Sequence, residues 1–126
     1  VHASPFEPSA YSYVLDEETA SANFNAFKER ICFIGYSHRP VIFESSDSGV
    51  KIIPEGKLNE NSRYIINVGS VGQPRDGNNK LSFGLFNTEN FIYSNVRVDY
   101  DRVSASIKIY KEDLPVSLAQ RILAGI

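Results

Sequence analysis

Cysteine is nearly absent: Cys32 is the only one in 126 residues. A lone thiol cannot close an internal disulfide, which fits a reducing, cytoplasmic setting. No apolar run approaches the ~20 residues a membrane-spanning helix needs, so no membrane partner is expected. An excess of one charge is lacking too. Thirteen Lys+Arg against fifteen Asp+Glu leave −2, which argues against a broad basic surface for nucleic acid. There is no C-x-x-C and no H-E-x-x-H, and no internal repeat, low-complexity stretch or long linker. What remains, 42% hydrophobic and 22% charged residues, is ordinary globular usage for one domain. Val1 reads as part of a strand rather than a natural terminus, since termini are usually polar and frayed. The chain is therefore expected to begin inside a longer protein.

The pattern along the chain is mixed. Ala20, Phe24, Phe27 and Ile31 fall at helical spacing, which predicts a helix over 19–30. Asp16, Glu17 and Glu18 near its start and Lys28 and Arg30 near its end suit the helix dipole. Ile31-Cys32-Phe33-Ile34 reads as a strand buried on both faces. Val41–Phe43 and Val50–Ile53 flank a hairpin signal, Ser45-Ser46-Asp47-Ser48-Gly49. Arg63–Val68 is another strand, followed by a run dense in turn formers. Strands are expected near 80–86 and 91–100, the first with Leu81, Phe83 and Leu85 alternating with Ser82 and Gly84. Asp101 can cap a helix with Val103, Ile107 and Tyr110 on one side. Leu114-Pro115 breaks it, and a last helix over about 116–123 ends at Gly125. Six or seven strands with three helices make the class mixed α/β.

Chemistry is concentrated in a few loops. The two histidines, His2 and His38, both sit where a predicted strand gives way to a loop. Strand ends are where layered α/β folds converge side chains on a site, and neutral imidazole is the commonest transition-metal ligand. Taken singly, each reads more readily as a plain polar turn residue, since a lone histidine has no motif behind it. Gly35-Tyr36-Ser37-His38-Arg39 begins like a nucleophile elbow, but Arg39 stands where the last glycine belongs. Gly72 to Gly77 has the glycine spacing of a phosphate loop, yet Asn78-Asn79 replaces its Lys-Ser/Thr. Cys32, inside an apolar strand, reads as inert core. Arg39 could bind an anion or decorate a turn, and Arg75-Asp76 could be a solvated turn pair.

Taken together, the loops resemble one family. Val1-His2-Ala3-Ser4-Pro5 is similar to the isolated-histidine motif of calcineurin-like metallophosphoesterases. Gly35-Tyr36-Ser37-His38-Arg39-Pro40 is similar to their G-H-[ST]-H-x-P motif. Asn67-Val68-Gly69-Ser70-Val71-Gly72-Gln73-Pro74-Arg75-Asp76-Gly77 resembles the N-P-G-S-V-G-Q-P-R-D-G stretch of the small bacterial and archaeal phosphodiesterase branch. Arg97–Asp101, Leu114-Pro115 and Leu118–Gly125 extend the likeness to almost the whole chain.

The resemblance implies the C-terminal half of a four-layer α/β/β/α sandwich. The other half would carry the aspartate and asparagine ligands and the histidine that assists the leaving group. No catalytic residue is assigned to this chain. His2 corresponds to a ligand of the second metal and His38 to a ligand of the first. Tyr36 replaces the histidine that also holds the second metal, and a phenol with a pKa near ~10 is a poor ligand unless deprotonated. Arg39 and Arg75 are the candidate substrate contacts. The implied cofactor is a pair of divalent ions (Mn, Fe, Ni or Zn), and the implied reaction is hydrolysis of a phosphodiester or small phosphate ester by a metal-activated hydroxide. The alternative is a degenerate relative that binds without turnover. The expected partners are the other half of the domain, a phosphate ester and, because half a sandwich exposes a sheet edge, a second copy of the chain.

Overall fold

The computed structural model describes all 126 residues. The elements run α1 (Glu17–Phe24), β1 (Ile31–Ile34), β2 (Val41–Ser46), β3 (Gly49–Ile53), β4 (Gly56–Lys57), β5 (Arg63–Asn67), β6 (Leu81–Asn87), β7 (Ile92–Val98), α2 (Arg102–Lys111) and α3 (Val116–Ala124). A single 3-10 turn, Pro8–Ala10, precedes α1. One sheet has the order β1-β5-β2-β3 and the other the order β4-β7-β6. The β1–β5 pair is parallel, with Ile34 opposite Asn67. The remaining pairs are antiparallel. No helix is long and apolar enough to cross a membrane.

The layers follow from period-two burial. Ile34, Phe43 and Ile65 turn one face of the four-stranded sheet to Val14, Ala20 and Phe24 on the α1 side. Ile42, Tyr64 and Ile66 turn the opposite face to Leu58, Phe91 and Tyr93. Two thin cores thus sandwich the first sheet between α1 and the second sheet. Helices α2 and α3 form a hairpin that packs on itself. Its end is tied to the loop before β6 by Gly77 N–H donating to Gly125 O (2.9 Å) and Asn79 Nδ2 donating to Leu123 O (2.9 Å). Gly125 has φ +74°, and a Cβ there would meet the Asn78–Asn79 backbone at about 2.8 Å. Only glycine suits that cap.

Several expectations need correction. The first helix stops at Phe24, not at residue 30. Asn23 turns back, donating to Thr19 O and accepting from Phe6 N–H. The Arg63 guanidinium then satisfies the carbonyls of Phe24 and Phe27. Those contacts supply the partners that a helix end leaves open. At its start, Asp16 and Thr19 form a reciprocal capping box. Strand β1 is not buried on both faces, since Phe33 is 38% exposed. It is one of the two edge strands of its sheet. In β6 it is Ser82 that points inward and Leu85 outward. The inner face meets polar partners: Ser82 Oγ donates to Val68 O (2.8 Å), and Gly84 leaves room for the Tyr93 ring. The α2 stripe of Val103, Ile107 and Tyr110 faces outward, and Ser106 is the buried residue. Cys32 is partly buried, and burial pushes its thiol pKa up.

A buried carboxylate closes the far end of the first sheet. Glu44 accepts from the Tyr64 hydroxyl (2.8 Å) and pairs with Lys51 Nζ (3.0 Å). The Tyr64 hydrogen bond, with help from Lys51, holds the Glu44 pKa below the usual carboxylate range. A depressed carboxylate pKa contributes stability above the unfolded-state value, and that contribution is lost as the pH falls through the folded-state value. Glu44→Gln should therefore cost about 1–3 kcal/mol at pH 7. Urea unfolding of both proteins should show the gap closing on acidification below the carboxylate range. A gap independent of pH would contradict this.

Candidate metal and phosphate site

Parallel pairing of β1 with β5 brings their C-terminal ends side by side, so the loops that follow emerge together. The N-terminal segment lies along β1. Val1 N–H donates to Phe33 O (3.1 Å), and Gly35 N–H donates to His2 O (2.9 Å). His2 is thereby placed against the Gly35–Pro40 loop.

Asn67, buried at the end of β5, joins the two loops. Its Nδ2 donates to Gly35 O (2.7 Å) and Ser37 Oγ (2.9 Å), and its Oδ1 accepts from Gly69 N–H (3.0 Å). Gly69 adopts φ +81°, and a Cβ there would lie about 2.7 Å from Ser82 Cβ. The close approach of β6 leaves space for glycine alone. Tyr36 (φ 63°) and His38 (φ 60°) both occupy the left-handed region. Each costs about 1–2 kcal/mol for an L-residue. Such strain persists where surrounding contacts fix it, commonly at functional sites.

His38 Nδ1 lies 2.7 Å from Gln73 O. A carbonyl only accepts, so Nδ1 carries the proton and Nε2 keeps a free lone pair. Burial holds the His38 pKa below the ordinary imidazole value, and the charges of Arg75 and His2 push the same way, against the Gln73 bond. This is the arrangement in which a histidine serves as a metal ligand, with its second nitrogen anchored to a carbonyl. Arg75 N–H donates to His38 O (3.2 Å), and its Nη2 donates to Gln73 Oε1 (2.9 Å). Arg39 Nε donates to Arg75 O (2.9 Å). Asp76, the other half of the supposed turn pair, instead takes a two-point ion pair from Arg97.

Tyr36 is enclosed by rings. It stacks on Tyr13 (centroids 4.7 Å, 25°), meets His2 edge to face (5.4 Å, 69°) and lies tilted against Tyr11 (5.8 Å, 45°). All of the sequence-predicted residues, His2, Tyr36, His38, Arg39 and Arg75, thus lie on one pair of loops and the segment beside them. Tyr11, Tyr13, Asn67 and the Gln73 carbonyl escaped the sequence reading. Asn67 carried a signal, because it opens the Gly-rich run at a strand end.

The donor set fits only part of a metal centre. His38 Nε2 and the His2 ring supply nitrogen donors, but no group of three or more His, Cys, Asp or Glu side chains is present. Two imidazoles without carboxylates fill ligand positions and do not complete a site for a divalent pair.

No family model matches the chain. An uncharacterized protein of Methanocaldococcus jannaschii is 40% identical over 98% of this chain and 50% of its own length. The crystal structure of a metallophosphoesterase from Sphaerobacter thermophilus matches with TM-score 0.88 and 32% identity, covering 100% of this chain and 54% of the other. A hypothetical protein from Pyrococcus horikoshii shares the fold, with TM-score 0.72 at 18% identity over 100% of this chain and 45% of the other. The chain spans about half the length of the relatives it matches. Its fold is that of a metallophosphoesterase, in keeping with the C-terminal half of a calcineurin-like domain.

Removing the Asn67 side chain strands a buried carbonyl, a hydroxyl and an amide N–H. Asn67→Ala should destabilise the protein by about 1–3 kcal/mol in urea unfolding. A loss below about 0.5 kcal/mol would mean that the loops are held by other contacts.

Proposed function

We propose that the full-length protein is a metal-dependent phosphoesterase acting on phosphodiesters or small phosphate esters, and that this chain is one part of its catalytic domain. The observation that carries the reading is the anchored His38 imidazole, with Nε2 free at the loop where the His2 and Tyr36 rings meet. His38 through Nε2 and His2 through its ring would be ligands, and Tyr36 stands at a third position. A divalent pair of the Mn, Fe, Ni or Zn type, when bound, supplies a water of lowered pKa and offsets phosphoryl charge. The remaining ligands, carboxylates among them, would come from the other half of the domain. Arg39 and Arg75 bind the phosphoryl oxygens, with Arg75 held by Gln73 and Arg39 held by the Arg75 carbonyl. The net reaction adds water across one P–O ester bond; the alcohol leaves with one proton and the phosphate keeps the new oxygen.

A second reading has its own support. The Tyr36 ring is engaged by Tyr13 and His2, as a wall of the site would be, and phenol is a poor neutral ligand. The protein would then bind phosphate esters with little turnover.

Assays of the full-length protein on bis(4-nitrophenyl) phosphate with added Mn²⁺ separate the two. The enzyme reading expects turnover that His38→Ala reduces by at least the roughly 10–100-fold that loss of a ligand's outer-shell partner costs, since here the ligand itself is removed. It also expects Tyr36→His to change the rate by less than about tenfold. A larger gain in Tyr36→His favours the second reading, and absence of turnover with every divalent ion sinks the first.

A further inference from the structure

Strand β7 turns its polar residues inward. Tyr93 belongs to the core between the two sheets. Side chains two apart share a strand face, so Asn95 and Arg97 point the same way, while Val96 and Val98 point outward. A charge turned toward a core is costly unless it is paired and hydrogen-bonded. Arg97 is both. Its Nη1 and Nη2 donate to the two carboxylate oxygens of Asp76, Nη1 also donates to Lys80 O (3.3 Å), and Nε donates to Asn95 Oδ1 (3.2 Å). Asn95 is fixed in turn, with Oδ1 accepting from Ser82 Oγ (3.1 Å) and Nδ2 donating to Val68 O (3.3 Å). The Arg97 and Asp76 side chains are only 19% and 23% exposed. The pair is therefore shielded from the screening that makes surface ion pairs weak.

Asp76 sits beside the groups that matter most. It is the one acidic residue between Asn67 and Lys80. It directly follows Arg75, whose N–H holds His38 O and whose carbonyl accepts from Arg39 Nε. A carboxylate left free there would pair with a guanidinium or repel a phosphate. The two-point bond from Arg97 occupies both of its oxygens and draws it toward the second sheet.

We infer that Arg97 is a positioning residue of the site. It holds the Asp76 carboxylate against the second sheet, which leaves Arg39 and Arg75 available to phosphate and keeps the Gln73–Arg75 segment behind His38. The inference rests on the phosphoesterase reading above and deepens it. Arg97 acts through Asp76.

Two readouts on the full-length protein test this. One is calorimetric titration of the EDTA-treated protein with inorganic phosphate. The other is the KM for bis(4-nitrophenyl) phosphate with Mn²⁺. Arg97→Gln should weaken phosphate binding and raise KM by about tenfold, the lower end for loss of one charged hydrogen bond. Its kcat should change by less than about threefold, because the lost interaction serves binding. Adding Asp76→Asn to Arg97→Gln removes the freed carboxylate and should recover most of both losses. A brace that only stabilises the fold predicts no recovery, since the second change adds damage. Arg97→Lys keeps a single-point cation and should lose less than Arg97→Gln. If Arg97→Gln fails to fold, Arg97→Lys with and without Asp76→Asn gives the same comparison. Unaltered phosphate binding in the Arg97 variant, a double variant no better than the single one, or an unmodified protein that binds no phosphate overturns the inference. Turnover in the unmodified protein alongside any of these results rejects the Arg97 inference alone. Recovery of phosphate binding by Asp76→Asn in a protein without turnover under any divalent ion rejects the enzyme reading alone.

Discussion

Two loops carry nearly all the candidate chemistry, and the Asn67 side chain clasps them together. One amide group reaches Gly35 O, Ser37 Oγ and Gly69 N–H at 2.7–3.0 Å. It can do so because parallel pairing of β1 with β5 places Ile34 opposite Asn67. A parallel pair ends both strands at the same level, which makes this sheet end a natural place for a site. In a buried position each unmade bond would cost more than the bond contributes when formed. The clasp is therefore nearly all-or-none. Gly69 belongs to the same constraint, since its turn lies against Ser82 where no side chain fits.

Strain and restraint balance in the Gly35–Pro40 loop. Tyr36 and His38 both adopt left-handed backbone, an uncommon conformation for residues of this size. Opposing it are the Ser37 N–H bond to Gly35 O, the Arg75 N–H bond to His38 O and the His38 Nδ1 bond to Gln73 O. The consequence is an imidazole whose tautomer and direction are set before any ligand arrives. Pre-set geometry of this kind lowers the cost of binding, because less freedom is lost on association. The same logic applies to Tyr13, whose ring is fixed by stacking on Tyr36.

The sequence showed the site more clearly than it showed the packing. His2, Tyr36, His38, Arg39 and Arg75 stood out through the resemblance of their loops to metallophosphoesterase motifs, whereas residue type and position alone left each histidine an ordinary turn residue. The helix caps at Asp101 and Gly125 were legible for a local reason, cap residues beside a periodic run. Burial was harder to read. Phe27 and Ile31 continue a helical spacing, yet Asn23 and Arg63 end the helix at Phe24 through contacts distant in sequence. The alternation in β6 was visible, but its direction is set by Val68 O and the Tyr93 ring. Tyr13 and Arg121 come to one cavity from opposite ends of the chain, and no local pattern announces such a meeting.

The central claim is that His38 is held as a ligand-ready imidazole, with Nδ1 protonated and Nε2 free. Two-dimensional ¹H–¹⁵N NMR of the metal-free protein, with His38 assigned through a His38→Gln variant, measures this tautomer directly. The account predicts the Nδ1–H form at neutral pH, with the Nε2 resonance alone perturbed when Zn²⁺ is added to the full-length protein. An Nε2–H tautomer, or an Nε2 resonance indifferent to Zn²⁺, would contradict it.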